Sequence, residues 1–470
     1  MQNDLQPIRL RAGAIVLCLS LAFFAVLLNK HYHQKVAVPA PNTKAETPEQ
    51  ILASIQMPPG DSPTHSALVK ALTRAGKSPN DSNSWTNLGD AVAQCLRETN
   101  NQAYYGQAEL AYSHALRVDS HNLGALTGLA WVYGGRHLFP RSVAWANKAL
   151  EVDRDDPTAY GILGDAELEL GDYDQALHNY QKMISLRPDL SSYSRSGYLL
   201  WVTGHRARAI ELMQRAIRAG APFAENTAWC RAKLAMMLFD DGALLPAWQT
   251  LEPALSPTTS NIHVLLAAGR ILTARHDYVA ALEYYRMATA VTPNIEALSA
   301  IGDLYALQGD KAKAEDCYRQ VEALHSANLS TGFHDHMQIA RFYADHGRNL
   351  IEALRMAEQS KLTRNVLQAD TLAWVYFKNG DLDKAADAIK RALSHGTLDP
   401  SAYFHAGMIA AKRSDFTGAR RYLSIALSFN PEFSPLDAPL ARKTLYDLAH
   451  SPELATSSAG VFGKARALSR

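Results

Sequence analysis

The sequence predicts an all-α solenoid of helix-turn-helix units, and three observations carry that prediction. First, the stretch from Pro157 to Asp189 holds Tyr160, Leu163, Gly164, a Gly171-Asp172 turn, Tyr173, Ala176, Tyr180, Met183 and Pro188 at the spacing of a repeat of about 34 residues. Second, its small residues recur in register ten times. Those of the first helix are Gly89, Ala130, Gly164, Gly197, Ala235, Gly269, Gly302, Ala340, Ala373 and Gly407; those of the second are Ala108, Ser142, Ala176, Ala209, Ala247, Ala281, Ala314, Ala353, Ala385 and Ala419. Two antiparallel helices approach closely only where one presents Gly or Ala to the other, which explains the spacing. Third, Gly-Asp turns at 171-172, 309-310 and 380-381, and closing prolines at Pro188, Pro293 and Pro431, punctuate the same units.

On these residues the chain resembles tetratricopeptide repeat proteins. The resemblance implies a right-handed superhelix whose first helices line a concave face, with the position after each small residue pointing into the groove. It also implies a scaffold that binds a protein or peptide partner.

Taken in order, the chain begins with a short tail, 1–11. An apolar run of 17 residues follows at 12–28, AGAIVLCLSLAFFAVLL. At about 1.5 Å per residue it just spans a hydrocarbon core, with Lys30 free to snorkel. The run ends in Asn29-Lys30-His31-Tyr32 instead of the small residues of a cleavage site, so an uncleaved signal-anchor is favoured over a signal peptide. Leu17 before Cys18 argues against a lipoprotein signal. A short N-terminal tail before such an anchor places the repeats outside the cytoplasm, in a bacterium at the periplasmic face of the inner membrane; the alternative is the cytoplasmic face. Residues 29–63 carry Pro39, Pro41, Pro48, Pro58, Pro59 and Pro63 and predict an extended tether.

A capping helix is expected in 64–81, then ten repeats over 82–433, a second capping helix in 434–450, and a Ser/Ala/Gly-rich disordered tail at 451–470. The first repeat is irregular: seven extra residues separate Gly89 from Ala108, enough for about two more helical turns around Arg97 to Tyr105. A chain of 470 residues outgrows one compact core but suits a solenoid, which buries its core between neighbouring units.

Composition and motifs exclude several functions. Lys plus Arg numbers 47 against 46 for Asp plus Glu, so no global field exists to hold nucleic acid. Gly76-Lys77-Ser78 has Ala71 where a phosphate-binding loop needs its first glycine. Cys18, Cys95, Cys230 and Cys317 lack paired spacing and read as separate thiols. His325, His334, His336 and His346 crowd one junction with Asp335 and Asp345, but His334 and His336 are two apart and diverge on a helix. A metal-handling role is therefore the least favoured reading. No HExxH, GxSxG or GxGxxG occurs, and too few residues follow the array for a catalytic domain. Neither an enzyme activity nor a cofactor is expected.

The resemblance then nominates groove residues: Trp131, Tyr198, Met236, Arg270, Asp303, Arg341, Trp374 and Met408, with Phe239 and Phe377 one turn further on. Aromatic and Met anchors around a charged middle of Arg270, Asp303 and Arg341 suit an extended or helical peptide. Packing on the next repeat is the competing account of Trp131 and Trp374, and an ion pair with Asp303 that of Arg270 and Arg341. The expected function is a membrane-anchored adaptor for a protein partner in assembly or secretion of cell-envelope components. A glycan- or cell-wall-binding solenoid is the alternative.

Overall fold

The computed structural model describes residues 46–58, 63–99, 101–221, 224–256, 259–330, 336–359 and 364–450. The apolar run 12–28, the tether up to residue 45 and the tail 451–470 lie outside the described residues. The helices described belong to one unit, Thr43–Arg470. Among the described residues the regular structure is helical, with no strand, and no helix is long and apolar enough to cross a membrane.

Two helices, α1 (Pro48–Ser54) and α2 (Pro63–Lys77), precede ten antiparallel pairs. The first five pairs are α3 (Ser82–Thr99) with α4 (Ala103–Val118), α5 (Leu123–Gly135) with α6 (Phe139–Val152), α7 (Pro157–Leu170) with α8 (Tyr173–Leu186), α9 (Leu190–Val202) with α10 (Arg206–Ala219), and α11 (Glu225–Asp240) with α12 (Leu244–Leu251). The next five are α13 (Ile262–Ala274) with α14 (Tyr278–Val291), α15 (Ile295–Leu307) with α16 (Lys311–Ser330), α17 (His336–His346) with α18 (Leu350–Gln359), α19 (Val366–Lys378) with α20 (Leu382–Ala392), and α21 (Pro400–Lys412) with α22 (Phe416–Phe429). A last helix, α23 (Asp437–His450), packs on the tenth pair. Asn or Asp side chains cap many first helices, as Asp156 does by accepting from Ala159 N–H.

Within a pair, the small residue of the first helix receives a large side chain from the second. A Cβ on Gly164 would overlap the ring of Tyr180, and Gly89, Gly269 and Gly302 stand in the same relation to Tyr112, Tyr285 and Tyr318. Three of these tyrosines then donate to the aspartate after the glycine, each at 2.8 Å: Tyr112 to Asp90, Tyr180 to Asp165 and Tyr318 to Asp303. The Gly-Asp dipeptide and its tyrosine therefore form one structural device that locks the two helices together.

One expectation is corrected at the amino-terminal end. Residues 46–58 are not an extended tether: Thr47 and Gln50 form a capping box that starts α1, and Ile51 is fully buried. Gln56 N–H donates to Gln107 Oε1 of α4 at 2.9 Å, and Leu52 touches Gly76 of α2. The prolines mark helix starts here, since Pro48 and Pro63 each open a helix. The extra residues of the first repeat lengthen α3, which runs to Thr99.

The array also returns on itself. The connection that begins the ninth pair lies against the turn of the third pair, six units earlier. There Asn365 Nδ2 donates to the carbonyls of Leu168 (3.4 Å) and Glu169 (3.1 Å), and Val366 N–H donates to Tyr173 Oη at 2.8 Å. One step along, Gly204 meets the Gly396 carbonyl, and Leu398 packs with Trp201, Leu234 and Met237. One step further, Asn430 Nδ2 donates to the Phe239 carbonyl at 2.7 Å, and Arg206 lies over the Phe429 ring. The glycines report how close this seam is. Gly171, Gly204, Gly242, Gly309, Gly347 and Gly380 all occupy left-handed turns, where L side chains are strained. At 171, 204 and 242 a Cβ would also strike backbone across the seam, whereas at 309, 347 and 380 nothing lies within 4 Å.

This contrast sets a test. Gly380→Ala should cost about 1 kcal/mol from left-handed strain alone, and Gly204→Ala about 2 kcal/mol more, from the overlap with Gly396. Chemical denaturation of the two variants measures the difference, and equal costs would mean that the seam contributes nothing.

Candidate functional site

Closure turns the concave face into two adjoining cavities. The first, about 260 Å³, is walled by α9, α11 and α13 and closed by Leu367, Thr397 and Asp399 from across the seam. The second, about 350 Å³, runs along α13, α15 and α17 and is closed by Ser401, Glu432 to Leu436 and Asp437. Arg270 and Glu296 line both, so they stand where the two meet. Each space is of a size that takes a small ligand or a few residues of a peptide.

The charges around this junction are incompletely matched. Arg270 lies over the Phe239 ring at 5.1 Å; burial works against its charge, but Asp240 and Glu296 carry its pKa up. Lys233 sits over Tyr198 at 5.5 Å and Trp229 at 5.4 Å, and burial lowers its pKa. Neither cation, nor Asp240 nor Glu296, makes a hydrogen-bonded ion pair among the described residues. Burial together with the Asp399 charge pushes the Asp240 carboxyl up to about 8. Burial, with Asp165, likewise pushes Glu169 up to about 7. Ionisable groups withdrawn from water and left unpaired are costly, and such clusters concentrate at functional sites.

Of the residues nominated from sequence, Tyr198, Met236, Arg270, Asp303 and Arg341 line the cavities. Phe239 reaches the second only from beneath Arg270 and is 2% exposed. The others lie elsewhere. Trp131 packs on Tyr105 with Arg97 over its ring, outside both cavities. Trp374 is a core residue, 3% exposed, stacked on Phe377 at 4.9 Å and His405 at 4.2 Å, because α21 lies against that face of α19. Phe377 and Met408 pack on the core beside it, and the Thr444 hydroxyl caps the Met408 sulfur.

The charged middle is also rearranged. Asp303 is held by Tyr318 and by His346 Nε2 at 2.8 Å, so it is not the partner of Arg270 or Arg341. Arg341 pairs instead with Asp345 (3.0 Å) and Asp370 (2.9 Å), and Asp370 in turn holds buried His405 at 2.7 Å. That network ties three successive first helices together and is structural.

Lys233, Glu296 and Asp399 escaped the sequence reading. Lys233 is three residues before Met236 and Glu296 seven before Asp303, so both continue the nominated face by one and two turns. That signal was available. Nothing local announces Asp399, which only closure brings in.

Among the described residues, the histidines of the cluster do not come together as a metal site. His325 and His336 rings are 6.4 Å apart, His346 is committed to Asp303, and no group of three or more ligands occurs among the described residues. His334 lies outside them. Cys95, Cys230 and Cys317 are separate, buried thiols.

The geometry is that of a helical repeat scaffold. Residues 127–191, 261–328 and 371–435 match the tetratricopeptide repeat family, so the chain carries tetratricopeptide repeats within a helical repeat fold. Such repeats generally bind protein or peptide partners and are generally non-enzymatic scaffolds. Three solved structures are similar at low identity. One is from a functional characterisation of Pseudomonas aeruginosa pilF, 19% identical, covering 47% of this chain and 96% of its own, TM-score 0.35. YrrB, described as a TPR protein with an unusual peptide-binding site, is 21% identical, covering 40% and 97%, TM-score 0.28. The human IFIT1 dimer with PPP-AAAA is 16% identical, covering 83% and 96%, TM-score 0.42. Likenesses at that level carry no argument about function. Among curated proteins no match was found.

The raised Asp240 carboxyl makes a prediction about pH. The folded chain keeps a proton that the unfolded chain releases above about pH 4, so this group removes stability as pH rises from about 4 to 8. Asp240→Asn should therefore gain in melting temperature relative to the parent between pH 5 and 8.5. A difference that stays constant across that range would contradict the assignment.

Proposed function

We propose that this chain is a membrane-tethered adaptor that holds a segment of a protein partner inside its enclosed groove. The observation that carries the reading is a set of half-buried charges without hydrogen-bonded ion pairs, Lys233, Asp240 and Arg270, gathered with the exposed Glu296 on one wall of the groove. A fold that needed them only for stability would pair them or replace them with apolar residues. Met236 and, from across the seam, the exposed Leu436 supply apolar anchoring area beside these charges. The apolar run at 12–28 supports attachment to a membrane, with the repeats outside the cytoplasm and a role in assembling or exporting envelope components.

The test uses the full-length chain in its native membrane. A photocrosslinking residue at Met236, inside the groove, should capture a protein partner, and Lys233→Ala with Arg270→Ala should abolish that capture. The same crosslinker at Leu245, which is 62% exposed outside the groove, should not capture it. Capture from Leu245 alone would place the binding surface elsewhere. Protease added to spheroplasts should degrade the repeats, and protection would put them in the cytoplasm.

A further inference from the structure

We infer that the cavity at the seam takes one basic side chain of the bound partner, a lysine or arginine, between Asp240 and Asp399. This rests on the groove reading above and names the chemistry that one part of the groove selects.

The two carboxylates come from distant parts of the chain. Asp240 closes α11 in the fifth pair, whereas Asp399 precedes α21 in the tenth, so closure alone brings them to one cavity. The Asp399 charge contributes, after burial, to the rise in the Asp240 pKa. A fold seldom drives two carboxylates together without a cation between them. Of the cations already present, Arg270 feels both Asp240 and Asp399 through space but hydrogen-bonds neither and lies over the Phe239 ring, while Lys233 sits over the rings of Tyr198 and Trp229.

The charge count points the same way. Three carboxylates, Asp240, Glu296 and Asp399, line this cavity with two cations, Lys233 and Arg270. The carboxylates outnumber the cations by one, and the proton held by Asp240 balances the count. The walls suit the stem of a long basic side chain. Tyr198, Trp201 and Met236 are apolar or aromatic surface along which methylenes can lie, while the charged head reaches the carboxylates at the far end. An incoming cation would displace the Asp240 proton to solvent, so binding near pH 7 releases a proton.

The experiment is calorimetric titration of the full chain with N-acetyl-arginine amide and N-acetyl-lysine amide, with the citrulline and glutamate analogues and putrescine as controls. The arginine and lysine probes should bind at least about tenfold more tightly than citrulline or glutamate. Asp240→Asn with Asp399→Asn should remove that preference. Asparagine keeps the helix cap that Asp399 provides to Ser401 N–H, so the double variant should still fold. Repeating the titration at pH 7 in buffers of different ionisation enthalpy should show proton release by the parent and less by Asp240→Asn. Equal binding of the arginine and citrulline probes, or a preference unchanged in the double variant, would overturn the assignment. Tighter binding of putrescine than of both capped residues would make this a site for a free diamine and would overturn it too. Failure of the Met236 crosslinker to capture any partner would overturn the groove reading, whereas loss of the arginine preference beside intact capture would overturn only this inference.

Discussion

The structure depends on hydrogen bonds made between units six apart. A helix leaves its last carbonyls and first N–H groups without partners. Here the last-turn carbonyls of α7 and α11 accept from the amides of Asn365 and Asn430, which are 1% and 0% exposed; the Glu169 carbonyl takes its bond from Asn365, and those of Leu168 and Phe239 add it to a bond from their own turn. Asn365 acts twice, since its oxygen also caps α19 by accepting from Leu367 and Gln368 N–H. Buried side-chain amides are costly when unsatisfied, so these contacts hold the two arms at one spacing and register. Without them the array would be an open superhelix with a shallow groove facing water.

Closure gives the groove its electrical character. On an open concave face, Asp240 and Arg270 would be solvated groups of little consequence. Between two arms they lose water, and Asp399 arrives from the tenth pair to face Asp240. The electrostatics of the site are thus a product of long-range topology more than of any local motif. The neighbouring Arg341–Asp370–His405 network shows the other outcome of the same enclosure, in which every charge finds a partner and the cluster becomes part of the frame.

How much of the molecule could be read from the sequence depends on the range of the interaction involved. The helix pairs were legible because Gly164 against Tyr180, or Gly302 against Tyr318, is a contact within one unit and repeats with a fixed period. Groove positions were legible in part: counting from the small residue placed Met236 and Arg270 on the inner wall. The same count nominated Trp374, but there the competing account, packing on the next repeat, is the one the structure shows, since Phe404 and His405 of α21 lie against its ring. Asp303 looked like a binding residue and is instead held by Tyr318 of its own unit and His346 of the next. The seam left only a faint trace. Gly171 and Gly380 are equivalent in sequence, yet a Cβ meets backbone at the first and open space at the second. Likewise, the proline-rich approach to the repeats suggested an extended chain, but Pro48 opens a docked helix.

Pulsed electron-electron resonance between spin labels at Ala207 and Ser394 tests closure directly, since both sites are exposed and flank the contact of Gly204 with Gly396. A closed array predicts a single narrow distribution near the short limit of the method. A broad distribution extending to the long separations of an open superhelix would contradict it, and with it the enclosed groove.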